Sequence, residues 1–179
     1  QHSEIYDQKG IKCALENHAK IDKVVDNLVK RAHNGNKKIV FCSFREEMDM
    51  IYNELNECGI EVLIYDGRTS RKERERIMWS LPAVLILQIQ MGCEGLNLQM
   101  ANEIHFVGPL WNPAMEQQAI ARCYRTGQKK NTQIFKYIMT NIDSISSMDN
   151  YMSLTMSRKR DYTKTITAPE GRTRKLSYT

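Results

Sequence analysis

Arg122 and Arg125 stand three residues apart in Glu116-Gln117-Gln118-Ala119-Ile120-Ala121-Arg122-Cys123-Tyr124-Arg125-Thr126-Gly127-Gln128, a stretch that reads as a helix stopping at a glycine. An i, i+3 pair on a helix projects to one side. Two forked, permanently charged guanidiniums side by side suit a multiply charged phosphate better than a single carboxylate. The same spacing also serves a plain solvated basic face, so the pair needs support from the elements that position it.

Those elements alternate. Ile21, Val24, Val25, Leu28 and Val29 recur at helical spacing over 17–34, and Asn34-Gly35-Asn36 ends that helix. Lys37-Lys38 leads into the short apolar run Ile39–Cys42, a strand pattern. Residues 45–57 read as a helix with Met48, Ile51, Tyr52 and Leu55 inward and Gly59 just past its end. A strand follows over Ile60–Tyr65, and Ser70-Arg71-Lys72-Glu73 is a capping box opening a helix to about Leu81. Strands are expected at Ala83–Leu87, Glu103–Val107 and Thr132–Met139. Pro113 suits the first turn of the helix that carries the arginines. A last helix over 143–157 would pack through Ile145, Met148, Met152 and Met156. Short apolar strands alternating with helices indicate an α/β domain, a mostly parallel sheet with helices on both faces. The pattern divides the chain into a lead-in over 1–16, a lobe over 17–157 and a basic, flexible tail over 158–179.

In such sheets function gathers at the carboxyl ends of the strands. That rule selects Ser43-Phe44, Asp66-Gly67-Arg68-Thr69-Ser70, Gln88–Leu98 and Gly108–Pro113 as one edge. Asp66–Ser70 brings hydroxyls and backbone N–H groups to a helix N-terminus, a setting for phosphate or for a plain cap. Gly92-Cys93-Glu94-Gly95-Leu96-Asn97-Leu98 is a glycine-spaced turn, and Gly95 would allow close approach of backbone to a ligand. Trp111, in Leu110-Trp111-Asn112-Pro113, suits stacking on a base or a place in the core equally well.

Taken in order, these segments resemble the second RecA-like lobe of superfamily-two helicases. More closely they are similar to the Swi/Snf-type ATPases that translocate on double-stranded DNA, in the branch associated with DNA repair. The resemblance runs from about Ala19 to Met139, some two-thirds of the chain, and is most specific from Gly92 to Gln128. His18-Ala19-Lys20-Ile21 resembles the family's helix leading into this lobe. The resemblance implies a RecA-like three-layer fold. It implies that Arg122 and Arg125 are arginine fingers reaching the γ-phosphate of ATP, with Mg²⁺, held mainly by another lobe. It places Gln118 beside them, and Gly92, Glu94, Gly95 and Asn97 in the motif that couples nucleotide to DNA. It places Ser43, Phe44, Arg68, Thr69, Ser70 and Trp111 against the DNA strand backbone, where contacts position without reading sequence. The chain departs from the family at Ala121, an aspartate there, at Tyr124, a histidine there, and at Cys93, a glycine there. Gln88-Ile89-Gln90 replaces a Ser/Thr-rich approach. Such divergence suits a rapidly evolving source such as a large DNA virus.

Neither a Gly-x-x-x-x-Gly-Lys-Ser/Thr phosphate loop nor a metal-binding Asp-Glu pair accompanying one occurs in the 179 residues. The chain is therefore expected to be half of an active site, cut from a larger protein and inactive alone, its partners being double-stranded DNA and an N-terminal helicase lobe. The other readings are a non-catalytic nucleic-acid or protein binding module, and a lobe of a strand-separating or RNA helicase. Hydrophobic residues make up 41% of the chain, and no apolar run approaches the roughly 20 residues of a membrane span. Five cysteines with no zinc-ligand or Cys-x-x-Cys spacing suggest reduced thiols in an intracellular compartment. The resemblance implies the nucleus, or a cytoplasmic virus factory for a viral source. The net charge of +5 comes wholly from 158–179, with seven basic and two acidic residues, a tail suited to a phosphate backbone or simply to solvent.

Overall fold

The computed structural model describes residues 4–6, 12–14, 19–92, 98–110, 112–124, 130–139 and 148–167. Strands β1 (Glu4–Tyr6) and β2 (Lys12–Ala14) pair antiparallel. The lobe proper runs α1 (Ala19–Lys30), β3 (Lys37–Cys42), α2 (Arg45–Glu57), β4 (Val62–Tyr65), α3 (Arg71–Trp79), β5 (Val84–Gln88), α4 (Ile89–Gly92), β6 (Ala101–Phe106), α5 (Pro113–Cys123), β7 (Gln133–Lys136) and α6 (Met148–Thr167). Five strands form one sheet in the order β4-β5-β3-β6-β7, and every pairing is parallel.

Alternation along the central strands divides the interior into two cores. Ile39 and Phe41 of β3, with Leu85 and Leu87 of β5, face α3, α4, α5 and α6. Val40 and Cys42, with Val84 and Ile86, face α1 and α2. A sheet buried on both faces needs strands apolar at consecutive positions, which is why these runs lack polar–apolar alternation. The result is the three-layer α/β architecture expected from the sequence.

Element limits differ from expectation mainly at the end of the chain. Helix α6 begins at Met148 and continues to Thr167, so the boundary drawn at 158 from composition falls inside a helix. Lysine and arginine are good helix formers. Hydroxyls earlier in α6 bond back one turn, Thr155 Oγ1 to the Tyr151 carbonyl at 2.9 Å and Ser157 Oγ to that of Ser153 at 3.1 Å. Met152 and Met156 are buried as expected, whereas Ile145 and the Met148 side chain lie outside the described residues. Val29, expected inward, is exposed at the margin of the α1 stripe.

The amino-terminal half of the sheet carries a buried polar network that hydrophobic patterning does not reveal. Glu103 is fully buried and accepts from Arg31 Nε at 2.9 Å and Nη2 at 3.0 Å. It also accepts from the amides of Asn34 at 2.6 Å and Asn36 at 2.8 Å. Gly35, at φ 72°, makes the turn that lets both asparagines face one carboxylate. Burial alone would raise the Glu103 carboxyl, but contacts from His105, Arg31, Asn36 and Asn34 hold it far below the usual carboxylate range. His105 Nδ1 lies 2.9 Å from the Tyr137 hydroxyl, which accepts from Asn27 Nδ2 at 2.6 Å. With the Tyr137 hydroxyl donating to an unprotonated His105 Nδ1, Nε2 carries the ring hydrogen and faces Glu103 at 3.6 Å. Burial lowers the affinity of His105 for a second proton.

Both shifts act in one direction. An unfolded histidine takes a proton near its ordinary 6.5 that the folded ring resists, and an unfolded glutamate takes one near 4.5 that folded Glu103 refuses. Stability is therefore expected to fall as pH drops through 6.5, and again through 4.5. Urea unfolding on either side of 6.5 checks the first step, which His105→Gln should flatten. Glu103→Ala strands Arg31 and two amides, and is expected to cost about 3–5 kcal/mol in the same assay.

Candidate functional site

Parallel pairing puts the carboxyl ends of all five strands on one edge. From β3 the chain runs out to the edge strand β4, returns inward to β5, then crosses β3 to build β6 and β7 on the other side. The reversal leaves a crevice beyond the ends of β3 and β6, where α/β sheets bind ligands. Ser43 and Phe44 leave β3 there, and Gly108 to Leu110 leave β6. The two strands stay in register to the end, with Val107 N–H donating to the Phe41 carbonyl at 3.0 Å. Leu98 N–H donates to the carbonyl of Arg122 at 3.2 Å. That bond brings the end of the glycine-spaced segment to the end of the arginine helix.

Helix α5 is set up locally and then oriented by its buried face. Asn112 caps it by accepting from Ala114 N–H at 3.0 Å, and Pro113 occupies the first turn. Glu116, Ala119 and Cys123 point inward. Glu116 is held by Lys136 of β7 at 2.6 Å. This phase places Gln118 and Arg122, one turn apart, on the outer side. Gln118 is exposed and Arg122 half-buried. Among the described residues the Arg122 guanidinium has no hydrogen bond or ion pair. The exposed neighbour Ala121 has no carboxylate to offer it. Tyr124, at the C-cap, is 66% exposed. Gly92 is the last residue of α4. Arg125, Glu94, Gly95, Asn97 and Trp111 lie outside the described residues.

The segment after β4 is organised by a residue that sequence reading did not single out. Asp66, 1% exposed, accepts from Arg68 N–H at 2.8 Å and Arg68 Nε at 2.7 Å. Arg68 Nη2 reaches Asp49 at 3.0 Å. Arg68 thus bridges α2 and its own loop while its side chain stays half exposed. Thr69 Oγ1 accepts from Asp66 N–H at 2.9 Å and donates to the Ile64 carbonyl at 3.3 Å. Arg74 lies over the Tyr65 ring at 5.2 Å and donates to the carbonyls of Thr69 and Asp66. The expected capping box is present. Glu73 accepts from Ser70 N–H at 3.0 Å and from its hydroxyl at 2.8 Å, and Ser70 Oγ accepts from Glu73 N–H at 3.3 Å. The amides of Asp66, Arg68, Thr69 and Ser70, offered to a phosphate by the sequence, are therefore occupied, by a carboxylate in the two cases of Arg68 and Ser70.

Ser43 and Phe44 are held similarly. Glu47 Oε2 accepts from both backbone amides, at 3.2 and 3.3 Å. The spacing Phe44-x-x-Glu47 was the available signal, hidden because phenylalanine is no usual N-cap. Cys42 and Cys123 are buried and free, with burial pushing the Cys123 thiol up to about 12. Neither is a thiolate at neutral pH.

A parallel five-stranded sheet between two helix layers, with a motif-bearing carboxyl edge, defines a RecA-like lobe. The helicase conserved C-terminal domain matches residues 19–127, and the chain belongs to that family. Within it the chain is the second lobe of the Swi/Snf type. It is 33% identical over 116 residues to DNA repair protein RAD5B of Arabidopsis thaliana, covering 62% of this chain and 9% of that protein. It is 31% identical over 165 residues to DNA repair protein RAD5 of Candida albicans, covering 85% and 15% respectively. The chain thus spans only a small part of these relatives. The solved C-terminal part of the Fun30 ATPase domain shares the fold with a TM-score of 0.60 at 22% identity, over 82% of this chain and 54% of that one.

The loop after β4 gives a local test. Thr69→Val removes the acceptor of the Asp66 amide and is expected to cost about 1–3 kcal/mol in urea unfolding. Ser70→Ala removes the cap of α3 and should cost about 1 kcal/mol.

Proposed function

We propose that the chain is the ATP-closing lobe of a motor that translocates on double-stranded DNA, and that Arg122 with Arg125 supplies its arginine fingers. The observation that carries this reading is the Arg122 guanidinium. It stands half-buried on the last turn of a fixed helix and has no counter-charge among the described residues, whereas Arg68, Arg31 and Arg71 are all paired. A half-buried cation left unpaired fits an anion of high charge. Gln118, one turn before it, would orient the same group. ATP, when bound, supplies the phosphoryl group to be transferred. The residues of this chain stabilise negative charge on its terminal phosphate and help exclude water as the lobes close. Among the described residues no cluster of His, Cys, Asp or Glu suits a metal ion, and in this reading Mg²⁺ is held by the other lobe.

Ser43, Phe44 and the loop Arg68–Ser70 lie at the carboxyl ends of β3 and β4 and are the proposed contacts to the DNA backbone, together with Trp111. Hydrogen bonds within the loop preform it, and the half-exposed Arg68 head offers its remaining N–H groups. Gly92, Glu94, Gly95 and Asn97 would couple the two sites through the Leu98–Arg122 bond. Basic residues 158–175 add charge suited to duplex DNA. The named relatives are DNA repair proteins, and the nucleus is the proposed setting.

In the full protein, Arg122→Ala is expected to lower the DNA-stimulated kcat for ATP by about 10³-fold or more while leaving duplex affinity in place. Steady-state hydrolysis and DNA binding measured on the same preparation check this. A kcat within a few-fold of the parent would remove Arg122 from the reaction.

A further inference from the structure

Lys20 is the second residue of α1, and its ammonium reaches a point where three strand-end segments meet. Nζ lies 3.2 Å from Asp149 Oδ2 and 3.9 Å from Glu47 Oε1. It also lies against Gly108, 3.6 Å from the place a Cβ on that glycine would take. Each carboxylate holds backbone as well. Glu47 accepts from the amides of Ser43 and Phe44, just after β3. Asp149 accepts from Met139 N–H at 3.1 Å, just after β7. Gly108 follows β6. One ammonium therefore touches, directly or through one carboxylate, the segments leaving three of the five parallel strands.

The charges interact strongly here. The side chains of Lys20, Glu47 and Asp149 are only 14–18% exposed, so water and salt screen them weakly. Two carboxylates face a single ammonium. Without it, two like charges would remain in a partly desolvated pocket, and each would shift its backbone partners as it moved apart. A lysine at this place links the geometry of Ser43-Phe44 to that of the Gly108 segment.

We propose that Lys20 is a positioning residue that sets the spacing of the strand-end segments and thereby tunes the grip on nucleic acid. The inference rests on the DNA-contact reading given above for Ser43 and Phe44. Its structural half is independent of that reading.

The test uses the full chain as Lys20→Met and Lys20→Arg, with two readouts. Amide hydrogen exchange is followed at Ser43, Phe44 and Met139, with Leu85, Ile86 and Leu87 of β5 as distant references. Binding to a short mixed-sequence DNA duplex is followed over a range of salt. Lys20→Met is expected to speed exchange at the three strand-end amides by about tenfold or more, the loss of one charged hydrogen bond. The β5 amides should stay unchanged, duplex affinity should fall by about tenfold, and Lys20→Arg should restore most of both. The salt slope should hardly change, because Lys20 is not a phosphate contact. Unchanged strand-end exchange would overturn the proposal, and so would equal acceleration at β5, which marks a purely global loss of stability. A steeply reduced salt slope would also overturn it, by making Lys20 a direct contact. If the parent chain shows no salt-dependent duplex binding, the DNA reading fails, and exchange alone decides the positioning role.

Discussion

Strand β3 sits at the centre of the sheet, paired in parallel with β5 on one side and β6 on the other. Parallel neighbours cannot be joined by a hairpin, so each crossover must travel the length of the sheet, here through a helix. That requirement creates the two covering layers and sends every strand toward the same edge. Because β3 comes first among these strands yet ends in the middle, the chain must build one flank, return across it, and build the other. The crevice beyond β3 and β6 follows from that route. It is where Ser43-Phe44 and the Gly108 segment come together beside Lys20.

Helix α1 secures this arrangement at both ends. At its start Lys20 joins Glu47 and Asp149 near the carboxyl edge. Just past its end Arg31 joins Glu103 near the amino edge. Between them Ile21, Val24, Val25 and Leu28 pack on the sheet. The apolar stripe supplies most of the stabilisation, as burial generally does. The two charge clusters contribute register. An ion pair out of water is costly unless its geometry is good, so a slipped α1 would pull Arg31 away from the buried carboxylate of Glu103. A helix that can lie in only one position keeps the strand-end segments in one position too.

Much of this was legible in the residues. Consecutive apolar positions in Ile39–Cys42 and Val84–Leu87 announce strands buried on both faces. Pro113 and Ser70 mark helix starts, and Gly59, at φ 70°, marks a helix end. What escaped notice was polar and buried. Glu103 and His105 drew no notice because sequence pattern records hydropathy, not which distant amide meets a carboxylate. Asp66 looked like part of a phosphate loop and proves to be its organiser. The extent of α6 was missed because Thr, Arg and Lys resemble tail composition while remaining compatible with a helix.

The central claim is that two lobes close on ATP through Arg122 and drive movement along duplex DNA. Displacement of a third strand from a DNA triplex by the full protein, with and without ATP, addresses it most directly. The account predicts ATP-dependent displacement that is lost in Arg122→Lys, since a lysine keeps the charge but not the planar fork. Displacement undiminished by that substitution, or none by the intact protein under conditions where it hydrolyses ATP on duplex DNA, would contradict it.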